Sequence, residues 1–285
     1  LKTKTFDKVL SSLIAIRNVM SVSQEIKELP LDDFFELGLL DPVVQCLKPE
    51  LNSQCKEIPE EAVWIIANAS CCESEYLSSI AQTGIFQIFH FYLANEIYES
   101  LFYNILWTLA NFVTESIQYR TLIFKEGLFQ SIFKISSLVR KTQNRTREVI
   151  CWFFEACMFS GNFPVPQLEE NILSELLFYV RQDLPESTMG ECLCGIASYL
   201  SKKFDQRSRI MRISQENLEP VFLKIIEKKA PTQTTPILTI FSRLTQGNSF
   251  EIQKFYSPLF VKVLGSFIEG KSTKDIILAL EILSN

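Results

Sequence analysis

The chain has 285 residues, 47% hydrophobic and 12% aromatic, enough apolar material for a sizeable core in one or two domains. Its 28 basic and 33 acidic residues leave a net charge of −5, so it carries no basic footprint of the kind that grips nucleic acid. No apolar run reaches the roughly 18 residues of a membrane span, the first residues do not read as the charged, apolar and small-residue succession of a secretory signal, and eight cysteines without a CxxC pair read as small buried hydrophobes of a reducing, intracellular compartment.

Nine glycines are too few for a sheet that turns every ten residues or so, and the long apolar-periodic stretches predict an all-α chain without strands. In chain order the first stretch is LIAIRNVMS (13–21), which carries Asn18. ELGLLDPVVQCL (36–47) sets Gly38 before a short apolar helix, and EEAVWIIANAS (60–70) brings Trp64 and Asn68. The same succession returns as QTGIFQIFHFYL with Gly84, then NILWTLANFVT with Trp107 and Asn111. It returns again as KEGLFQSIFKIS with Gly127, then VICWFFEACMF with Trp152 and Ala156. Beyond it come EENILSELLFYV, CLCGIASYLSK, QENLEPVFLKII, a landmark at Thr239 and Arg243, YSPLFVKVLGSF and a final ALEILSN.

Trp64, Trp107, Trp152 and Gly195 stand 43, 45 and 43 residues apart, a spacing that marks a solenoid of stacked units. Each unit holds two short helices and a longer third one, and none buries its apolar faces alone, so neighbours must stack into one continuous core. A sharp turn between the short helices wants a residue at positive φ, which suits Gly38, Gly84 and Gly127; asparagine is next best, which fits Asn171 and Asn217 before Ser257 at the equivalent places. Polar joints such as RKTQNRTRE, RQDLPESTMGE and KKAPTQTTP read as loops between units of one solenoid spanning 1–285, with about six to seven repeats and an incomplete last one.

The third helices carry the chemistry. In a helix over 104–115, Ile105, Leu106, Leu109 and Val113 share the core stripe with Phe102 ahead of them, while Asn104, Trp107, Thr108, Asn111 and Glu115 share another. Tryptophan and asparagine four apart lie one turn above each other, so successive units build a ladder of indoles beside a ladder of amides. Amides donate to and accept from the main chain of an extended peptide, and indole faces receive lysine or arginine stems. The competing structural reading gives Asn68 and Asn111 the task of bonding the backbone of the neighbouring repeat. His90, the single histidine, reads as a helix-packing residue. There is no phosphate-cradling glycine loop, nucleophile elbow, acid pair or metal-ligand set, so neither an enzyme nor a cofactor is expected.

The forty-three-residue period and the tryptophan–asparagine pairs resemble the armadillo-repeat family of importin-α, the adaptor that carries nuclear-localisation peptides; EEAVWIIANAS, LWTLANF, GIASYLS and LDDFFELGLLDPVVQCL are the similar strings. The resemblance implies a right-handed superhelical solenoid whose concave groove binds basic segments of cargo proteins, with residence in cytoplasm and nucleus. Carried over residue by residue, it implies peptide contacts from Trp64, Asn68, Trp107, Asn111, Trp152 and Tyr199. It places Asn104 where the family has a glutamine, and Glu115 where it has the aspartate that pairs with the principal cargo lysine. Departures accumulate: Ala156 replaces an asparagine, Gly195 a tryptophan and Cys192 an acid, while Cys72 and Leu77 stand for a glycine and a threonine, and Lys203 and Arg243 add positive charge to the later groove. Importin-β is an implied partner through a basic N-terminal segment for which Lys2, Lys4 and Lys8 are the only counterpart here. A scaffold of the same fold, ciliary or cytoskeletal, with a degenerate groove is the alternative expectation.

Overall fold

A computed structural model describes residues 2–22, 31–49, 55–71, 74–140, 145–159, 163–202, 206–214, 216, 218–226, 231–246, 258–268 and 272–284. Cys72, Lys203, Asn217 and Ser257, singled out from the sequence, lie outside the described residues. Those described are overwhelmingly helical, and the contacts divide the chain into two compact units, Leu1–Phe153 and Phe154–Asn285. No described helix is long and apolar enough to cross a membrane.

The first unit starts with α1 (Lys2–Val22), a third helix, and continues with three-helix repeats: α2 (Leu31–Glu36), α3 (Leu40–Gln45) and α4 (Glu57–Ala69), then α5 (Ser74–Gln82), α6 (Ile85–Ala94) and α7 (Phe102–Glu115). A third set comprises α8 (Ile117–Lys125), α9 (Leu128–Val139) and α10 (Arg145–Phe159). The expected glycine turns are present, with φ of +65° at Gly38, +79° at Gly84 and +76° at Gly127. At Gly127 a second constraint applies, since an added Cβ would come within 3.2 Å of His90 Cε1. His90 itself meets Ser131 Oγ at 3.4 Å through Nδ1, joining α6 to α9 as a packing residue.

Third helix packs on third helix, α1 on α4 and α4 on α7, and the second helices α6 and α9 do likewise. The core stripe of α7 is as periodicity requires: Ile105, Leu106, Leu109 and Val113 are fully buried, each contributing about 1.5–3 kcal/mol. Thr108 departs from expectation, because it too is buried, its hydroxyl donating to the Asn104 carbonyl at 2.8 Å. Repeats are also tied by polar bonds. The Tyr92 hydroxyl reaches back to the Leu47 carbonyl at 2.9 Å, and buried Arg120 donates to the Val113 carbonyl at 2.6 Å, satisfying an acceptor at the end of α7.

In the second unit α11 (Pro166–Tyr179) and α12 (Glu186–Ser201) precede α13 (Gln206–Ser214), α14 (Glu219–Ile226) and α15 (Pro231–Leu244), followed by α16 (Pro258–Ile268) and α17 (Thr273–Ser284). The third helices α12, α15 and α17 pack in succession. Asn171 corrects the sequence reading. It makes no turn but lies within α11, with its Oδ1 accepting from Gln167 Nε2 at 3.0 Å, because Pro166 opens the helix and nothing interrupts it before Tyr179. Gly195, in the tryptophan place of α12, is buried against α11; an added Cβ would lie 2.7 Å from Leu176 Cδ1, so there is no room for an indole. Gly190 likewise lets α15 approach, with the Thr232 carbonyl oxygen 2.9 Å from where a Cβ would stand.

Candidate functional site

Two of the recurrent tryptophans, Trp64 and Trp107, line a pocket of about 770 Å³ between α4 and α7 that reaches the start of α10; Trp152 does not line it. From α4 it takes Glu60, Glu61, Trp64 and Asn68, which the helical period of three to four places on one face. From α7 it takes Tyr103, Asn104 and Trp107, and Glu99 and Arg145 complete the rim. Trp64 is 42% exposed, uncommon for so large an apolar side chain, and Trp107 is half-buried. Three carboxylates thus ring two indole walls, a combination that attracts a cation and shelters its methylene stem.

Each of these rings already has an intramolecular neighbour. The Arg17 guanidinium, from α1, lies 4.6 Å from the centroid of Trp64 and pairs with Glu61. Arg145 lies 4.7 Å from the Tyr103 centroid. Trp107 and Trp152 are 4.7 Å apart, tilted by 44°, and Trp107 Nε1 donates to Cys71 Sγ at 3.5 Å. An aliphatic stem sandwiched between two rings needs about 7–8 Å, two carbon contacts of 3.5–4.0 Å, so none fits between Trp107 and Trp152.

No protein-family model matches the chain, and no curated protein does either. Among solved structures it is similar to a designed armadillo repeat protein in complex with the peptide (KR)4, with a TM-score of 0.68 and 15% identity over 86% of this chain and 98% of that one. Computationally designed armadillo repeat proteins for modular peptide recognition align with a TM-score of 0.71 and 14% identity over 86% of this chain and 98% of that one. An engineered protein aligns with a TM-score of 0.72 and 13% identity over 94% of this chain and 67% of its own. The fold is the armadillo repeat.

Within that armadillo frame the two asparagines hold their ladder positions but are engaged with the preceding repeat. Asn68 Nδ2 donates to Ser21 Oγ at 3.2 Å, and Asn111 Nδ2 donates to Ser70 Oγ at 2.8 Å and to Cys71 Sγ at 3.5 Å. These bonds reach the neighbouring repeat, as the structural alternative expects, but their acceptors are serine and cysteine side chains and not the backbone it named. Asn104 lines the pocket. Glu115 is exposed at the far end of α7 and is not part of the pocket wall. The acids at the pocket are Glu60, Glu61 and Glu99, which the sequence reading missed; Glu60 and Glu61 stand four and three residues before Trp64, a spacing that would have revealed them. Tyr103, four residues before Trp107, carries the same signal.

Tyr199 requires correction. It is 2% exposed, and its hydroxyl donates to Glu170 Oε1 at 3.0 Å, so it presents no face to a peptide. Burial, then the Glu170 carboxylate, pushes its phenol pKa upward. Arg209 stacks 4.4 Å over the ring while chelating Glu169 at 2.7 and 2.9 Å, and Lys202 reaches Glu169 at 2.6 Å. Burial works against the Glu169 charge, yet the hydrogen bonds from Arg209 and Lys202 outweigh it and hold the carboxyl below its usual range. Leu77 and Cys192 are buried, as is Ala156 in the third asparagine place, and Arg243 donates to Gln246 Oε1 at 3.5 Å. Burial raises the pKa of Glu155 on α10, and burial, then Glu155 and Glu191, pushes the Cys194 thiol on α12 up to about 11.

Proposed function

We propose that the chain is a non-enzymatic armadillo adaptor that captures a lysine- or arginine-bearing segment of a partner protein on the third-helix face of its first unit. The observation that carries this reading is the pocket in which Trp64 and Trp107 stand beside Glu60, Glu61 and Glu99. An ammonium or guanidinium entering there gains cation–π contact and carboxylate pairing, while its stem lies on indole carbon. The designed armadillo protein in complex with (KR)4 lends support, since a basic peptide is bound by a protein of this fold. In its finer form the proposal is an importin-α-like role, with delivery of basic-signal cargo between cytoplasm and nucleus.

A scaffold function is the second reading, and one feature favours it: Asn68 and Asn111 are bonded to serines of the preceding repeats rather than presented as a free amide ladder. The two are separated by titrating the protein with a (KR)4 peptide and following heat or tryptophan emission. The adaptor reading expects saturable binding that weakens by about 2- to 30-fold in Trp107→Ala and again in Trp64→Ala, the span of one cation–π contact. Absent binding, or binding indifferent to both substitutions, gives the scaffold reading its case. Nuclear accumulation of a reporter carrying the same peptide, dependent on this chain, tests the transport role.

A further inference from the structure

We propose that Arg17 and Arg145 are built-in occupants of the site's aromatic faces and set how many basic side chains a bound segment can stack; this deepens the peptide-binding reading and rests on it. Trp64 has a guanidinium over one face at 4.6 Å, Tyr103 has one at 4.7 Å, and Trp107 has Trp152 against it at 4.7 Å. In the first two cases the arginine comes from a neighbouring third helix, α1 for Trp64 and α10 for Tyr103.

Arg17 presents the chemistry a ligand arginine would bring. It stacks on the exposed indole and places Nε against the Glu61 carboxylate, so one side chain uses both the aromatic and the acidic element at once. Its side chain and that of Glu61 are only 20% and 18% exposed, which keeps the pair from being fully screened by water. What stays open is the space between Trp64 and Trp107 that Glu60, Glu99 and Asn104 also line. The wild-type site therefore stacks one incoming basic side chain, whereas two residues alternating along an extended segment would compete with Arg17 for the second place.

The test compares two peptides, (KR)4 and one with a single lysine in a Gly/Ser background, against wild type, Arg17→Ala, Arg17→Lys and the charge control Lys48→Ala, which removes an exposed cation outside the pocket. Arg17→Ala is expected to tighten (KR)4 by about 2- to 30-fold, the range of one released cation–π contact, while the single-lysine peptide and the Lys48→Ala control change by less than about 2-fold. Arg17→Lys keeps the charge but loses planar stacking, and is expected to give a smaller gain; it also serves if Arg17→Ala loosens α1, checked by circular dichroism. Wild type that binds (KR)4 with Arg17→Ala equal or weaker overturns the inference and leaves the adaptor reading intact. A gain equal to that of Lys48→Ala overturns it as well, assigning the effect to net charge. No binding by any variant sinks both.

Discussion

Replacing Glu169 by glutamine removes a carboxylate charge that both Lys202 and Arg209 pair with in the second unit. The carboxylate accepts from Lys202 Nζ at 2.6 Å and from Arg209 at 2.9 and 2.7 Å, and the three side chains are 11%, 18% and 12% exposed. Breaking a buried pair by deleting one partner costs about 3–5 kcal/mol, because the remaining charge stays desolvated. Glutamine keeps the shape and one acceptor, and Lys202 has some access to water, so the lower end, about 3 kcal/mol, is expected. Urea unfolding followed by far-ultraviolet circular dichroism reads the difference. The pH dependence supplies a second check. The Glu169 pKa is depressed in the folded chain, so its contribution is fully present above the unfolded value near 4.5 and is lost as pH falls through the lower folded value. Glu216, also depressed as Arg212 and Arg181 overcome its burial, titrates in both proteins and cancels in the comparison. The gap between wild type and Glu169→Gln must therefore be wide at neutral pH and narrow in acid. A gap below about 1 kcal/mol at neutral pH, or one that persists in acid, refutes the claim that this cluster is shielded from solvent.

Gly127→Ala should lower stability by about 1–2 kcal/mol from positive φ alone, with the 3.2 Å approach to His90 adding to it; thermal melts decide, and an unchanged midpoint would show that the turn relaxes. Glu115→Gln should leave (KR)4 affinity within about 2-fold of wild type, whereas Glu60→Gln should weaken it, since an exposed acid outside a pocket is screened and one on its wall is not. The reverse order in a peptide titration would return Glu115 to the role the family resemblance gives it.

The third-helix positions were legible because helical period and repeat period are both arithmetic. Trp64 and Trp107 lie off the apolar stripe, and the structure sets both at one pocket. The turn glycines were legible for a local reason, as positive φ is costly for other residues. What escaped were features decided across repeats. The string GIASYLS does not disclose that Leu176 crowds Gly195 or that Glu170 takes the Tyr199 hydroxyl.

By itself the amino-acid order determined the helices, their grouping into units of about forty-three residues and the stripe on which each indole and amide would sit, because these follow from backbone geometry acting over three to four neighbours. Tertiary packing alone decided which of those groups are offered outward. Whether Arg17 covers Trp64, whether Trp107 closes on Trp152 and whether Asn111 is spent on Ser70 depend on distances between residues about forty positions apart, and those are set by how one repeat is rotated onto the next.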